Sequence, residues 1–485
     1  NQFPYNLYGA QQDNNTTLII TSQADPSSRE DWHGGPGCET GPVVPHPANP
    51  DIVYGSCKGQ YSVMNMKTGQ TRHYWIGAQS LYGNPGRDLI YRMQGVSPMA
   101  TSPHDPEILY YGSQYVHRTR DKGVTWETIS PDLTAFPSCC QGPSGEPITR
   151  DVTGEEFYST LYAITESPLE RGVIWTGAND GPFHVTRDNG KTWTNVTPKD
   201  LEPGGRVQWI EASPHRRGSA YFAVYRYLLG DYCPYLYRTD DYGKTWTRLT
   251  DGTNGIPADW PTRVVREDPD MPGLLVAGTE YGMYISYDEG AHWQSLQLNL
   301  PRVPIMDLKF YRHNLIDATQ GRGFWILDDV PILEGLKTVQ GTETAVLLKP
   351  VEGYRGGFGA GVRPPTFNYW LKDEPTEPIT VQVTDPMGTV IYNATAQPGT
   401  GEVPKPPSVV PDAAMLAAVG GRGAGGGAAG AGAGGGGRGA GGGGRGGGAF
   451  TPGGGVSPSA AITAHKGMNT ATWTSPMNYP AMFAI

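Results

Sequence analysis

Thr186-Arg187-Asp188-Asn189-Gly190-Lys191-Thr192-Trp193 is one of four copies of a Ser/Thr-x-Asp-x-Gly-x-x-Trp pattern, and its recurrence decides the fold. The other copies are centred on Asp121, Gly123 and Trp126, on Asp241, Gly243 and Trp246, and on Asp288, Gly290 and Trp293. Each reads as a hairpin turn with visible causes. The Asp side chain accepts hydrogen bonds from the turn's own backbone, Gly supplies a positive φ, and Trp buries a large apolar face. Recurrence of such a unit is the signature of a repeat architecture.

Upstream of each turn lies a second half-motif, in which a Pro-centred turn runs into an apolar strand ending in a small residue. Ser102-Pro103 leads into Ile108 to Gly112, Ser167-Pro168 into Val173 to Gly177, Ser213-Pro214 into Ala220 to Ala223, and Asp268-Pro269 into Leu274 to Gly278. Successive turn aspartates are 67, 53 and 47 residues apart, about one four-stranded blade per unit. Between Tyr235 and Thr239, Tyr235, Tyr237 and Thr239 fall on one face of a strand and Leu236 and Arg238 on the other. Two flanking units read as degenerate blades: Pro47 to Thr71, with Asn65 to Thr71 in place of the box, and Asn314 to Asp329. With an opening segment over Asn6 to Ala10 and Leu18 to Ile20, about seven blade-sized units precede residue 340. The expected fold class is all-β: a propeller over 1–340, then a small β-sandwich over 345–485 that a Gly/Ala/Pro-rich flexible insertion at 404–456 interrupts. Helix is expected only as short turns such as Pro331 to Leu336.

Composition narrows the function classes. The formal net charge is −10, and the Gly-rich stretch carries only Arg422, Arg438 and Arg445 with no interleaved aromatics, which argues against a nucleic-acid partner. No apolar run of 18 residues exists, so no membrane span is expected. The five cysteines, Cys38, Cys57, Cys139, Cys140 and Cys233, match no zinc spacing, and a Cys38–Cys57 disulfide is one open pairing. His104, His184 and His215 are scattered over different units. No metal or cofactor is expected. Abundant turns and aromatics with low charge fit a secreted or periplasmic protein. The absence of an initiator Met and the end at Ala484-Ile485 read as an interior fragment or a processed product.

The repeat turns resemble the Asp-boxes of sialidase, sortilin and related β-propellers. A broader likeness covers most of the chain. Tyr8 to Asn14, Ser102 to Pro106 with Leu109 to Gly112, Ile129 to Thr134, the four boxes and Gly321 to Asp329 resemble the second propeller of a bacterial family of secreted proteins. Those proteins carry sortilin-like, bacterial-neuraminidase-type repeats and are often labelled glycosyl hydrolase. Gly467 through Trp473, with Tyr479-Pro480, resembles that family's C-terminal sandwich. The resemblance implies outer-rim boxes, with Asp121, Gly123, Trp126 and their counterparts as scaffold, and a further N-terminal propeller in the full-length chain.

Two functional classes follow. The leading one is extracellular recognition of a protein, peptide or polysaccharide, with loop aromatics Trp260, Trp209 and Trp32 as ligand-binding candidates. The alternative is a glycoside hydrolase of the two-propeller xyloglucanase type, which needs two carboxyl groups across a cleft. Asp13, on the opening strand, is the catalytic candidate, although Gln11, Gln12, Asn14 and Asn15 stand where a Gly-Asp-x-Gly-Gly setting is expected. Sialidase chemistry would call on an arginine cluster, and Arg92, Arg150, Arg263 and Arg322 are the arginines at strand positions.

Overall fold

The structure is a computed structural model that describes residues 5–12, 17–21, 32–77, 79, 81–143, 156–339, 343–350, 366–401 and 462–472. Asp13, Arg150 and the 404–456 insertion lie outside the described residues. The chain divides into two compact units, Asn1–Lys337 and Thr338–Ile485.

The first unit is a succession of antiparallel sheets whose strands pair in chain order. Among the described residues there are seven sheets, of which the second to the sixth are four-stranded and the first and seventh three-stranded. The fifth, for example, consists of Arg206–Ala212, Ala220–Tyr225, Tyr235–Thr239 and Thr247–Arg248. The first strand of each sheet lies against the first strand of the next, through Asn6–Ala10, Val43–Pro45, Met99–Thr101, Leu161–Glu166, Arg206–Ala212, Thr262–Glu267 and Ile305–Tyr311. The seventh sheet meets the first: the Asn314 amide donates to the Tyr5 hydroxyl at 2.8 Å, and the Tyr5 ring stands edge-on to Tyr311. Gly9 leaves room there for the Phe324 ring, which a Cβ would meet at 2.5 Å.

Apolar cores fill the spaces between successive sheets. Tyr237 packs with Trp175, Phe183 and Phe222 on one face of its sheet, whereas Leu236 packs with Val265 and Leu275 on the other. The expected alternation is therefore present, and both faces are buried because each sheet has a neighbour on either side. Phe183 and Phe222 stack across one such interface with centroids 4.2 Å apart.

The four repeat turns share one hydrogen-bond design. In the second, Asp188 Oδ1 accepts from the Thr186 hydroxyl and the Thr192 amide at 2.9 Å each, Oδ2 accepts from the Thr192 hydroxyl at 2.7 Å, and Gly190 N–H donates to Thr186 Oγ1. The same bonds recur around Asp121 and Asp241, and around Asp288 with His292 Nδ1 in the place of the threonine hydroxyl. The turn needs left-handed backbone at two consecutive residues, Asn189 at φ 62° and Gly190 at 91°. Outside the four copies, Asn65 ends the third strand of the second sheet where a box has its leading Ser or Thr, and its Oδ1 accepts from the Lys67 and Thr68 amides.

Three of the four turns also fasten their sheet to the one before, whereas the Trp126 indole of the first copy donates to the Gly123 carbonyl of its own turn. The indole N–H of Trp193 donates to the Ile129 carbonyl, that of Trp246 to Val196 and that of Trp293 to Leu249. Each acceptor is the residue after the last strand of the preceding sheet. The turn glycine closes the same contact. A Cβ on Gly243 would lie 2.6 Å from Val196, and one on Gly290 2.9 Å from Leu249.

Other elements differ in detail from the sequence reading. The helix is longer than a turn, spanning Val330–Thr338. Cys38 and Cys57 form a disulfide, Cys139 and Cys140 form a vicinal one, and Cys233 is free and exposed. Among the described residues no helix is long and apolar enough to cross a membrane.

The second unit has a three-stranded sheet of Ala345–Leu347, Thr366–Leu371 and Gly467–Thr472, and a hairpin of Ile379–Thr384 with Val390–Ala396. Tyr369, Leu371 and Ala471 share a core with Ala396, Ile462 and Ala464, so the sheet and the hairpin pack together. Asp385 caps the hairpin turn through the Met387 and Thr389 amides, and Gly388 supplies φ 85°.

Two outcomes follow from the turns. Gly243→Ala, strained at φ 81° and crowded by Val196, is expected to lower stability by about 1–3 kcal/mol in urea unfolding. Hydrogen bonds from Thr192 hold the Asp188 carboxyl down at about 2. Its folded-state value lies below the unfolded one, so its contribution is present above about pH 4 and is lost as pH falls toward 2. Asp188→Asn is expected to be less stable at pH 7 and to show a shallower loss over that window, as read by denaturant unfolding at stepped pH.

Candidate functional site

Antiparallel order places two kinds of loop on one edge of the first unit. The links that lead into each first strand lie there, together with the turns between second and third strands, whereas the Asp-centred turns lie on the opposite edge. On the link edge the first strands of the fourth to seventh sheets share an irregularity. Their pairing slips by one residue, between Leu161 and Ala163, Val207 and Trp209, Thr262 and Val264, and Ile305 and Asp307. The extra residues are Tyr162, Gln208, Arg263 and Met306. A bulge re-aims its side chain and ends regular pairing, and here it recurs where the loops converge.

A pocket forms at this edge from Gln94, Glu156, Tyr158, Asn179, Arg206 and Tyr225, closed by Leu228 and Leu229. Its floor is held by amides. Gln94 and Asn179 both donate to the Phe157 carbonyl, at 2.8 and 2.7 Å, and the Thr160 amide donates to Asn179 Oδ1 at 2.9 Å. Two arginines tie down the surrounding loops. Arg92 donates to the Ser159 carbonyl and to Asp132, while Arg226 donates to Asp231 and to the carbonyls of Glu202 and Pro203.

Inside this frame Arg206 lies between two rings, its guanidinium carbon 4.5 Å from the Tyr162 centroid and 5.3 Å from that of Tyr225. Its Nε is buried without a hydrogen-bond acceptor among the described residues. Tyr225 is fixed from behind by Arg263, which donates to its hydroxyl at 3.1 Å and pairs with Glu280. Burial pushes the Tyr158 hydroxyl up to about 12, reinforced by Asp180, and raises Tyr225 further still, so both are neutral donors at physiological pH. Flat aromatic faces, an arginine with an unmet donor and amide and carboxylate groups suit hydroxyl-rich ligands with apolar faces. Among the described residues, Glu156 is the one carboxylate lining this pocket.

Of the sequence candidates, Trp209 and Trp260 pack against one core, which Tyr221, Leu275 and Trp293 share. Trp260 sits on the link edge, against Tyr281 and Tyr284, with Arg302 over its ring. Trp209 lies on the first strand of the fifth sheet under the Arg266 guanidinium, which pairs with Glu211 and Asp307. Trp32, 40% exposed, is on the outer strand of the first sheet. Arg92 and Arg263, which a carboxylate-binding cluster would need free, are each paired with an acid. His104 and His215 bind the carbonyls of Ser167 and Asp268 in the next sheet's turn. One group that sequence reading passed over could take a metal ion: donor atoms of Asp270, His313 and Glu334 lie within 4.8 Å of one another. The pocket was missed as well. Its one signal was a polar or aromatic residue near the start of otherwise apolar first strands, as in Tyr162, Arg206 and Arg263.

No family model matches the chain. Two curated fungal proteins are similar to it. One is a probable oligoxyloglucan-reducing end-specific xyloglucanase of Neosartorya fischeri, 24% identical over 249 residues, which are 49% of this chain and 26% of that protein. The other is an oligoxyloglucan-reducing end-specific xyloglucanase of Emericella nidulans, 28% identical over 115 residues, which are 22% of this chain and 13% of that protein. The matches thus span about a quarter or less of the length of these relatives. Among solved structures, a GH74 xyloglucanase from Xanthomonas campestris is 16% identical, with a TM-score of 0.45 over 67% of this chain and 50% of that one.

Arg226→Met removes the bonds that join the Glu202–Gly204 and Tyr227–Asp231 loops. Amide hydrogen exchange is expected to quicken at those loops while the strands of the fifth sheet keep their protection.

Proposed function

We propose that the first unit closes as one seven-bladed propeller with Asp-boxes on its outer rim, and that its link-edge pocket takes a polysaccharide of the xyloglucan class. The contact of Tyr5 with Asn314 and Tyr311 supports closure, since it joins the last sheet to the first. The observation that carries the ligand class is Arg206, set between Tyr162 and Tyr225 with a buried donor unmet. Sugar rings present apolar faces to tyrosines and hydroxyl oxygens to such a donor.

Recognition of a glycan is common to both functional classes, and the two fungal relatives favour the hydrolase over a free-standing receptor. In that reading the chain is one half of a secreted two-propeller enzyme. This pocket orients the polysaccharide, and the paired carboxylates stand at a cleft completed by a second propeller, with Asp13 as this chain's candidate. The two disulfides fit an oxidising compartment outside the cytoplasm.

Calorimetric titration of the chain with xyloglucan oligosaccharides is expected to give saturable binding. Tyr225→Ala and Arg206→Ala are each expected to weaken it about tenfold, near 1.4 kcal/mol. No binding, or binding unchanged in both variants, would remove the pocket from the function. The hydrolase reading has its own readout in the full-length protein, where reducing-sugar release from xyloglucan should vanish in Asp13→Ala.

A further inference from the structure

A second cleft opens between the sixth and seventh sheets, and its chemistry is unlike that of the first. Its walls are mostly apolar, with Met283, Leu296 and Leu300 on one side and Leu315, Trp325 and Leu327 on the other, and the neutral amides of Gln297 and Asn299 complete the lining. Asp317 lies at its floor, on the strand Asn314–Thr319, opposite Leu308 and Trp325 in register. The residue is 2% exposed, and neither carboxylate oxygen has a hydrogen-bond partner among the described residues. A buried carboxylate without a donor is costly, and apolar replacements of similar size are generally better tolerated. Keeping one at the bottom of an open cleft makes sense when something else supplies the donor.

The surroundings narrow that donor. Asp307, on the first strand of the same sheet, adds a like charge and is itself engaged by Arg266 at 2.9 Å, and among the described residues no cation pairs with Asp317. The sixth-sheet wall and the Trp325 strand bring no charged side chain to the cleft. Trp325 adds an indole ring, the aromatic surface that best attracts a cation. A ligand complementary to these groups has a short apolar stem and a positively charged head.

We propose that this cleft is a binding site for an alkylammonium group, its stem between Met283, Leu296 and Leu300 and its head on the Asp317 carboxylate beside Trp325. The site is separate from the polysaccharide pocket and does not depend on that reading. A free primary amine and the lysine side chain of a peptide share this chemistry.

Titration of the whole chain with n-butylammonium, and in a parallel arm with acetyl-Gly-Lys-Gly-amide, tests the assignment. Burial, reinforced by Asp307, raises the Asp317 carboxyl to about 7. The ionised fraction therefore grows about tenfold from pH 6 to pH 8, and n-butylammonium affinity is expected to rise by about that factor. 1-Butanol, of the same shape without the charge, is expected to bind weakly and without pH dependence. Asp317→Asn is expected to abolish amine binding. Its melting temperature relative to the parent should increase from pH 5 to pH 8, because a raised carboxyl contributes stability at low pH that is lost as pH rises through about 7. Binding of both probes assigns a lysine side chain as a ligand, and binding of the free amine alone assigns a small amine. Failure of both probes to bind at about 10 mM, equal binding of butanol, or retained binding in Asp317→Asn would overturn the proposal. The pH dependence is read on the unmodified chain, so the test stands even if the variant does not fold.

Discussion

The first unit depends on a hydrogen bond that crosses between sheets, from a tryptophan indole to the carbonyl that follows the previous sheet's last strand. Trp193, Trp246 and Trp293 each make it, and the Asp-centred turn exists to hold the indole in place. Without the Asp accepting from two backbone and side-chain groups on its own turn, the chain could not take two left-handed residues in succession there. Without the glycine, a Cβ would push into Val196 or Leu249 and the sheets would stand apart. Burial tends to raise the Asp241 and Asp288 carboxyls, but hydrogen bonds from Thr245 and His292 outweigh it, and both remain ionised acceptors.

Fastening at one edge leaves the opposite edge free to vary. There the first strands lose regular pairing at a bulge, and the links differ in length and content from sheet to sheet. Tyr162 and Arg263, both bulge residues, reach the neighbourhood of Arg206 and Tyr225 because each is turned out of the ladder at the same level of its own sheet. The rigid edge and the pocket edge are thus the two ends of the same strands, and a side chain at the pocket inherits its position from a turn far from it.

This division explains how much was legible in the sequence. The turns could be read because their causes are local: Asp188, Gly190 and Trp193 lie within one octet, and even the degenerate copy keeps a side-chain acceptor, Asn65, at the end of its third strand. Sheet order followed from the repeat. The pocket could not be read in the same way, since Gln94, Tyr158, Arg206 and Tyr225 are far apart in the chain and meet only once three sheets are stacked. Trp209 and Trp260 were legible as aromatics in a strand and a long link, but not that Arg266 covers one and Arg302 and Tyr281 enclose the other. Asp317 gave no signal, because a lone Asp in Asn314-Leu315-Ile316-Asp317 looks like any strand polar residue until its burial is known.

The central claim is that the link edge, and the environment of Arg206 in particular, receives a sugar chain. A crystal structure of the chain soaked with a xyloglucan oligosaccharide tests it most directly. The expected result is a sugar ring against Tyr225 with a hydroxyl oxygen accepting from Arg206 Nε. Oligosaccharide bound on another edge, or an Arg206 pocket left vacant in crystals that take up the sugar elsewhere, would contradict it.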